Sequence, residues 1–215
     1  MQHAALPLND AEEDAFLELF NLSFGKAAAT LSEMVDAEVS LSLPCFALLP
    51  QADVTQLLRD LYGTSIRMVY LPHRFVFDGG EEVPGTAVLL IRAAEVTHFL
   101  EALYGTPIPE EMAMQVEEEA FRSAADILLY TCVSSLSAFF SSEIASENPI
   151  YFKGSPENLS SHPLVGDGQE DLLLLRIDFK LLGKGVAGSL LTWLDGGHLP
   201  SLRVEIARYI TRCLG

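Results

Sequence analysis

Three polar side chains, Asp14, Glu18 and Asn21, are spaced by four and then three residues. At about 100° per residue of α-helix, Glu18 falls roughly 40° to one side of Asp14 and Asn21 roughly 20° to the other. One helix face therefore carries a carboxylate–carboxylate–amide stripe two turns long. The carboxylates can pair with a cation, and the amide can hold a water with its carbonyl while its NH₂ donates elsewhere. On an arbitrary helix such a stripe is a solvated face, since protein surfaces are mainly polar. Here the pattern continues to Asp14-x3-Glu18-x2-Asn21-x22-Pro44. It returns with the same spacing as Glu119-x3-Ser123-x2-Asp126-x22-Pro149. In the second copy the glutamate has become Ser123 and the asparagine Asp126.

The elements that must position the stripe follow from periodicity. Asn9 can cap a helix with Glu12 as its capping-box partner. Phe16, Leu17, Phe20, Phe24, Ala27, Ala28, Leu31 and Val35 then recur at helical steps as one apolar face. From Ala37 the period becomes two, with Val39, Leu41 and Leu43 alternating with Glu38, Ser40 and Ser42 until Pro44. A proline there implies an edge, a bulge or a junction between strands. A short helix with Val54, Leu57, Leu58 and Leu61 ends at Gly63. Strand-like runs follow over Ser65–Leu71 and Arg74–Phe77, and then a buried run over Ala87–Ile91.

A helix over about Ala94–Tyr104 closes the first half, and a second long helix runs from Glu110 to about Glu143. Asn148–Phe152 opens an extended segment, residues 154–170 are turn-rich, and strands are expected at Asp171–Leu181 and Gly188–Leu194. A final helix spans about Pro200–Leu214. The order repeats: Asn21 aligns with Asp126 and Pro44 with Pro149 at one offset, and Gly85 falls nearly in step with Gly188. Residues 1–215 are thus expected to be one domain of two repeats, about 9–105 and 110–215, because either half alone exposes a large helix face. The fold class is α/β of the α+β type, with a pseudo-twofold arrangement of the two repeats.

Composition narrows the partners. The chain has 215 residues, 49% hydrophobic and 20% charged, which is ordinary for a globular protein. Its 30 acids and 13 bases leave a net charge of −17, spread over both halves. No basic tract exists to hold nucleic acid or an anionic membrane surface, so neither is expected as a partner. No stretch has 18 consecutive apolar residues, and the N-terminus does not resemble a signal peptide, so a cytoplasmic location is expected. Cys45, Cys132 and Cys213 form no CxxC, and His3, His73, His98, His162 and His198 have no metal spacing. Gly183-Lys184-Gly185 joins two strands and so fails as a phosphate loop, while Phe77–Gly85 suits a hairpin.

The full Asp14/Glu18/Asn21/Pro44 pattern resembles the active-site signature of the CheC/CheX/FliY family of chemotaxis phosphatases, which act on phosphorylated CheY. The resemblance extends to the internal repeat, the glycine-joined strand pairs and the overall length. It implies a pseudo-twofold fold with two long adjacent helices packed on a mainly antiparallel sheet, each helix able to carry one motif. It assigns Asn21 to orienting the attacking water and Glu18 to pairing with the regulator's phosphate-contacting lysine, with Asp14 at the rim as a substrate-binding residue. No cofactor of the chain's own is implied; Mg²⁺ would be bound by the CheY-type response regulator. At the second site Asp126 would repel a phosphoryl group and lacks the amide donor. One working site is expected. The alternative is a non-catalytic adaptor of the same fold that binds a response regulator, a CheD-type deamidase or the flagellar switch. Because the duplication can satisfy a twofold interface internally, a monomer is favoured.

Overall fold

A computed structural model describes residues 10–42, 45–63, 67–78, 82–140, 143–160, 171–195, 197 and 199–214. The first long helix, α1 (Asp10–Met34), leads into strands β1 (Val39–Leu41) and β2 (Cys45–Pro50). Helix α2 (Val54–Tyr62), strands β3 (Met68–Asp78) and β4 (Glu82–Arg92), and helix α3 (Val96–Tyr104) complete the first half. The second half has α4 (Glu110–Phe140), β5 (Glu143–Ser146), β6 (Phe152–Gly154), α5 (Pro156–Ser160), β7 (Asp171–Leu181), β8 (Val186–Asp195) and α6 (Leu199–Leu214). The order α–β–β–α–β–β–α therefore occurs twice.

All strands join one antiparallel sheet in the order β1-β7-β8-β4-β3-β5, with β2 also on β7 and β6 also on β3. The halves exchange edges. First-half strands β1 and β2 pair with β7, whereas second-half strands β5 and β6 pair with β3. Alternation along the strands gives the sheet two buried faces, as the period of two requires. Val69, Leu71, Phe75, Leu89, Leu175 and Ile177 face a core shared with α1, α3 and α4. Tyr70, Val88, Leu90, Leu174, Leu191 and Trp193 face a second core built with α2 and α5. Helices α1 and α4 pack against each other on the first face. This is the mixed-class, mainly antiparallel architecture that the resemblance implies.

Several boundaries differ from the sequence reading. Over the described residues, the runs expected at Ser65–Leu71 and Arg74–Phe77 merge into one strand, β3 (Met68–Asp78), which passes straight through Pro72; Ser65 lies outside the described residues. The Pro72 carbonyl accepts from Ile150 N–H on the side away from β4 (3.0 Å). In an antiparallel strand a residue's N–H and C=O point to the same side, so the missing N–H takes nothing from the β3–β4 ladder. The run expected at Ala87–Ile91 extends to Glu82–Arg92, because Pro84 and Gly85 keep their register opposite Val76 and Phe75. Helix α4 stops at Phe140, and Glu143 instead begins β5. Within the turn-rich stretch, Pro156–Ser160 forms α5, where Leu159 is fully buried.

On either side of the junction expected at Pro44, β1 ends at Leu41 opposite Phe179 and β2 begins at Cys45 opposite Arg176. Asn9, Leu43 and Pro44 themselves lie outside the described residues, as do His3, His162 and His198.

Candidate functional site

The rotation of α1 is set by its apolar face. Phe20, Phe24, Ala27 and Leu31 are buried, with Phe20 stacked on Phe24 (centroids 5.9 Å apart) and edge-on to Phe46 of β2 (6.3 Å). These contacts pin the helix against the sheet edge and turn the stripe outward. Asp14, Glu18 and Asn21 are all exposed. None of the three makes a hydrogen bond or ion pair with another described residue, so their donors and acceptors face solvent.

Asn21 also forms part of a groove of about 240 Å³ between α1 and the β1–β7 edge. Its other walls are Phe24, Gly25, Ala28, Leu41, Ser42 and Ile177. The floor is fixed by reciprocal bonds across that edge. Ser42 N–H donates to the Asp178 carbonyl (2.8 Å), and Asp178 N–H donates to Ser42 Oγ (2.9 Å). An exposed carboxylate one turn before an exposed amide, with the amide at the mouth of a neutral groove, can grip a cationic group and orient a water beside it.

The second stripe lies on α4, where Glu119, Ser123 and Asp126 are likewise exposed. Its chemistry is different. Ser123 Oγ turns back to donate to the Glu119 carbonyl (3.0 Å), a local bond that withdraws the hydroxyl from any partner. Beside it Arg122 is paired with Glu118 (2.8 Å) and donates to the carbonyl of buried Pro149. Burial holds the imidazole of His73 on β3 below its ordinary range, and the negative charges of Asp126 and Glu147 pull it back upward. His73 Nε2 is buried without a hydrogen-bond partner among the described residues.

Sequence reasoning passed over a polar cluster under this helix. Glu117, buried on α4, accepts from Tyr151 Oη and from Lys153 Nζ (2.7 Å). The Tyr151 hydroxyl is held far above the ordinary phenol range by burial, then by the carboxylate it binds. The acid run Glu117-Glu118-Glu119 was the only signal available, and it did not show which member turns inward. Helical phase does: Glu117 shares a face with Ala113, Ala120, Phe121 and Ala124, which are all buried. His73, one of the histidines without metal spacing, is half-buried in a central part of β3. No group of three or more His, Cys, Asp or Glu among the described residues could hold a metal ion. No helix among them is long and apolar enough to cross a membrane.

No protein-family model matches the sequence, and no curated protein matches it. Solved structures do match the fold. FliY of Thermotoga maritima is 15% identical, with 94% of this chain and 99% of that chain covered and a TM-score of 0.66. The FliM middle domain of Vibrio alginolyticus is 13% identical over 88% of this chain and 99% of that one, at 0.58. The CheX–CheY–BeF₃–Mg²⁺ complex of Borrelia burgdorferi matches at 13% identity, 81% and 97% coverage, and 0.51. The chain has the FliY/CheX fold. In this FliY/CheX-type fold the sequence places one stripe on each long helix, α1 and α4, and both stripes are on the surface.

Proposed function

We propose that the chain is a phosphatase that hydrolyses the aspartyl phosphate of a CheY-type response regulator through one site on α1. The supporting observation is the exposed Glu18–Asn21 pair at the mouth of the groove, on a fold shared with FliY and with the CheX of a CheX–CheY complex. An acyl phosphate is already activated, so its hydrolysis asks mainly for positioning and electrostatics. The Asn21 carbonyl accepts from a water held in line with the scissile P–O bond, while its NH₂ donates to a neighbouring oxygen. Glu18 pairs with the regulator's lysine and sets the register of α1 in the partner's cleft; Asp14 meets the partner at the rim. The Mg²⁺ is the regulator's own, and the phosphatase contributes no cofactor. The second stripe is inactive, because Asp126 is an anion where an amide is needed and Ser123 is turned onto its own helix.

The protein in this reading is cytoplasmic and monomeric, and its two halves descend from one duplicated unit. Phosphate release from acetyl-phosphate-loaded CheY-type receiver domains, with and without the chain, tests the activity. Accelerated release that disappears in Asn21→Ala supports it; unaccelerated release with every receiver overturns it. A second reading is favoured by a different observation: FliM middle domains share the fold, and one of the two stripes has lost its pair. The chain would then be an adaptor that binds a regulator, a CheD-type deamidase or the flagellar switch. Receiver binding without accelerated phosphate release selects that reading.

A further inference from the structure

The groove beside Asn21 is not used by the chemistry proposed above. Among the described residues its lining carries no charged side chain; Phe24, Leu41 and Ile177 make it apolar. Gly25 is one of its walls. That glycine sits in mid-helix, exposed, and a Cβ built on it would meet nothing within 4 Å. It is also absent from the glycines of positive φ, so no turn demands it. Glycine weakens a helix interior. At Gly25 neither packing nor backbone conformation accounts for that weakness. On α4 the equivalent positions, at the offset that aligns Asn21 with Asp126, are Tyr130 for Gly25 and Val133 for Ala28. Tyr130 is 74% exposed and projects from the helix. The small residues thus accompany the intact Glu18–Asn21 pair and are lost where that pair is lost.

We propose that this groove is a specificity pocket that receives one uncharged aliphatic side chain of the phosphorylated receiver domain, beside its phosphoaspartate. The inference rests on the phosphatase reading. Asn21 is shared between the stripe and the groove, and Gly25 is one turn further along α1. Any protein that brings a phosphoryl group to the Asn21 amide must lay its adjoining surface over Gly25. A charged group entering there would be stripped of water and left unpaired, whereas an aliphatic one gains by leaving water. Gly25 is therefore a residue that sets affinity and partner choice, with no part in the chemical step.

The test compares wild type, Gly25→Leu and Thr30→Leu on an acetyl-phosphate-loaded CheY-type receiver domain with Mg²⁺. KM and kcat come from phosphate release, and Kd from titration with the beryllofluoride-treated receiver. Leucine at position 25 adds bulk at the groove wall, so in this proposal KM and Kd should rise about tenfold or more while kcat stays within about twofold, as lost uniform binding requires. Thr30→Leu, exposed on another face of α1, should behave as wild type. Because leucine is a better helix former than glycine, thermal melts of Gly25→Leu should match or exceed the wild type. If they do not, Ala28→Met fills the same groove from the next turn. Accelerated release with unchanged KM and Kd in the filled variant overturns the pocket and leaves the phosphatase reading standing. Receiver binding without acceleration overturns the phosphatase reading, and a Kd that still rises in Gly25→Leu keeps the pocket. A wild type that neither binds nor accelerates overturns both.

Discussion

Val88 and Leu191 face one another at the centre of the β4–β8 ladder, midway between the pairs Gly85↔Leu194 and Ile91↔Gly188. One constant shift along the chain carries Gly85 to Gly188, Val88 to Leu191 and Ile91 to Leu194. The ladder therefore maps onto itself about a point between Val88 and Leu191. Each end is marked by a glycine under an aromatic ring: Phe75 is in register with Gly85, and Phe179 with Gly188.

Those glycines should not tolerate a methyl group. A Cβ on Gly85 would lie 2.4 Å from Phe75 ring carbons and 2.7 Å from Leu194 Cδ2. On Gly188 it would lie 2.4 Å from the Leu90 carbonyl oxygen as well as from the Phe179 ring. Side chains can yield a little, but a paired backbone carbonyl cannot. Gly188→Ala should therefore cost roughly 3 kcal/mol and Gly85→Ala about 1–2 kcal/mol, within the range for overpacked cores. Urea denaturation measures both, and equal stability of Gly188→Ala and wild type would contradict the close approach.

Removal of the Asn21 amide should reduce accelerated dephosphorylation about a hundredfold or more, the scale for losing a positioned catalytic group. Binding of a beryllofluoride-treated receiver should remain within about threefold, because one hydrogen bond at an exposed site adds little net affinity. The double variant Ser123→Ala/Asp126→Ala should retain activity within about twofold if α4 carries no working site. A large loss there would show that both helices act.

The Glu117 cluster should be a stabilising, cooperative one. Glu117 is 5% exposed, with Tyr151 and Lys153 as its partners. Tyr151→Phe removes a hydrogen bond to a buried charge, a loss of about 1.5–3 kcal/mol. Lys153→Met should cost less, about 1–2 kcal/mol, because the ammonium is nearly half exposed and water can replace part of it. The double variant should deviate from additivity, since both substitutions remove partners of one carboxylate. Strict additivity in chemical denaturation would mean that the two contacts are independent.

Stability should fall on the acid side of neutrality through His73. Burial lowers its pKa in the folded protein below 6.5. The unfolded chain then binds the proton more readily, so the stabilising contribution is complete above about pH 6.5. It is lost as pH falls below that value and levels off beneath the lowered pKa. His73→Gln should flatten this part of the stability–pH curve. Asp126→Asn removes a carboxylate that opposes the shift, so an NMR titration should find His73 lower still in that variant. An upward move would place Asp126 away from the ring.

The helices and the stripe were legible because their signal is local. Phe20, Phe24, Ala27 and Leu31 state the buried face of α1 in their spacing, and that spacing alone turns Asp14, Glu18 and Asn21 away from the core. Strand limits were less legible. The expected runs stop short of Pro72 and Pro84, but each proline sits in β3 or β4 where the neighbouring strand keeps register through it. Whether a proline interrupts a strand depends on which side its nitrogen faces, and only pairing decides that.

By itself, then, the sequence determined which side chains α1 presents and that the pattern of elements is repeated, since helical phase and turn chemistry act over a few residues. Tertiary structure decided what stands beside those side chains. Leu41, Ser42 and Ile177 complete the Asn21 groove only because β1 lies along β7, a strand from the other half of the chain. The charge of Asp126 on α4 acts on His73 of β3, again across the two halves. Such contacts join residues far apart in the chain, where no local period operates, and they exist only after the two halves have exchanged their edge strands.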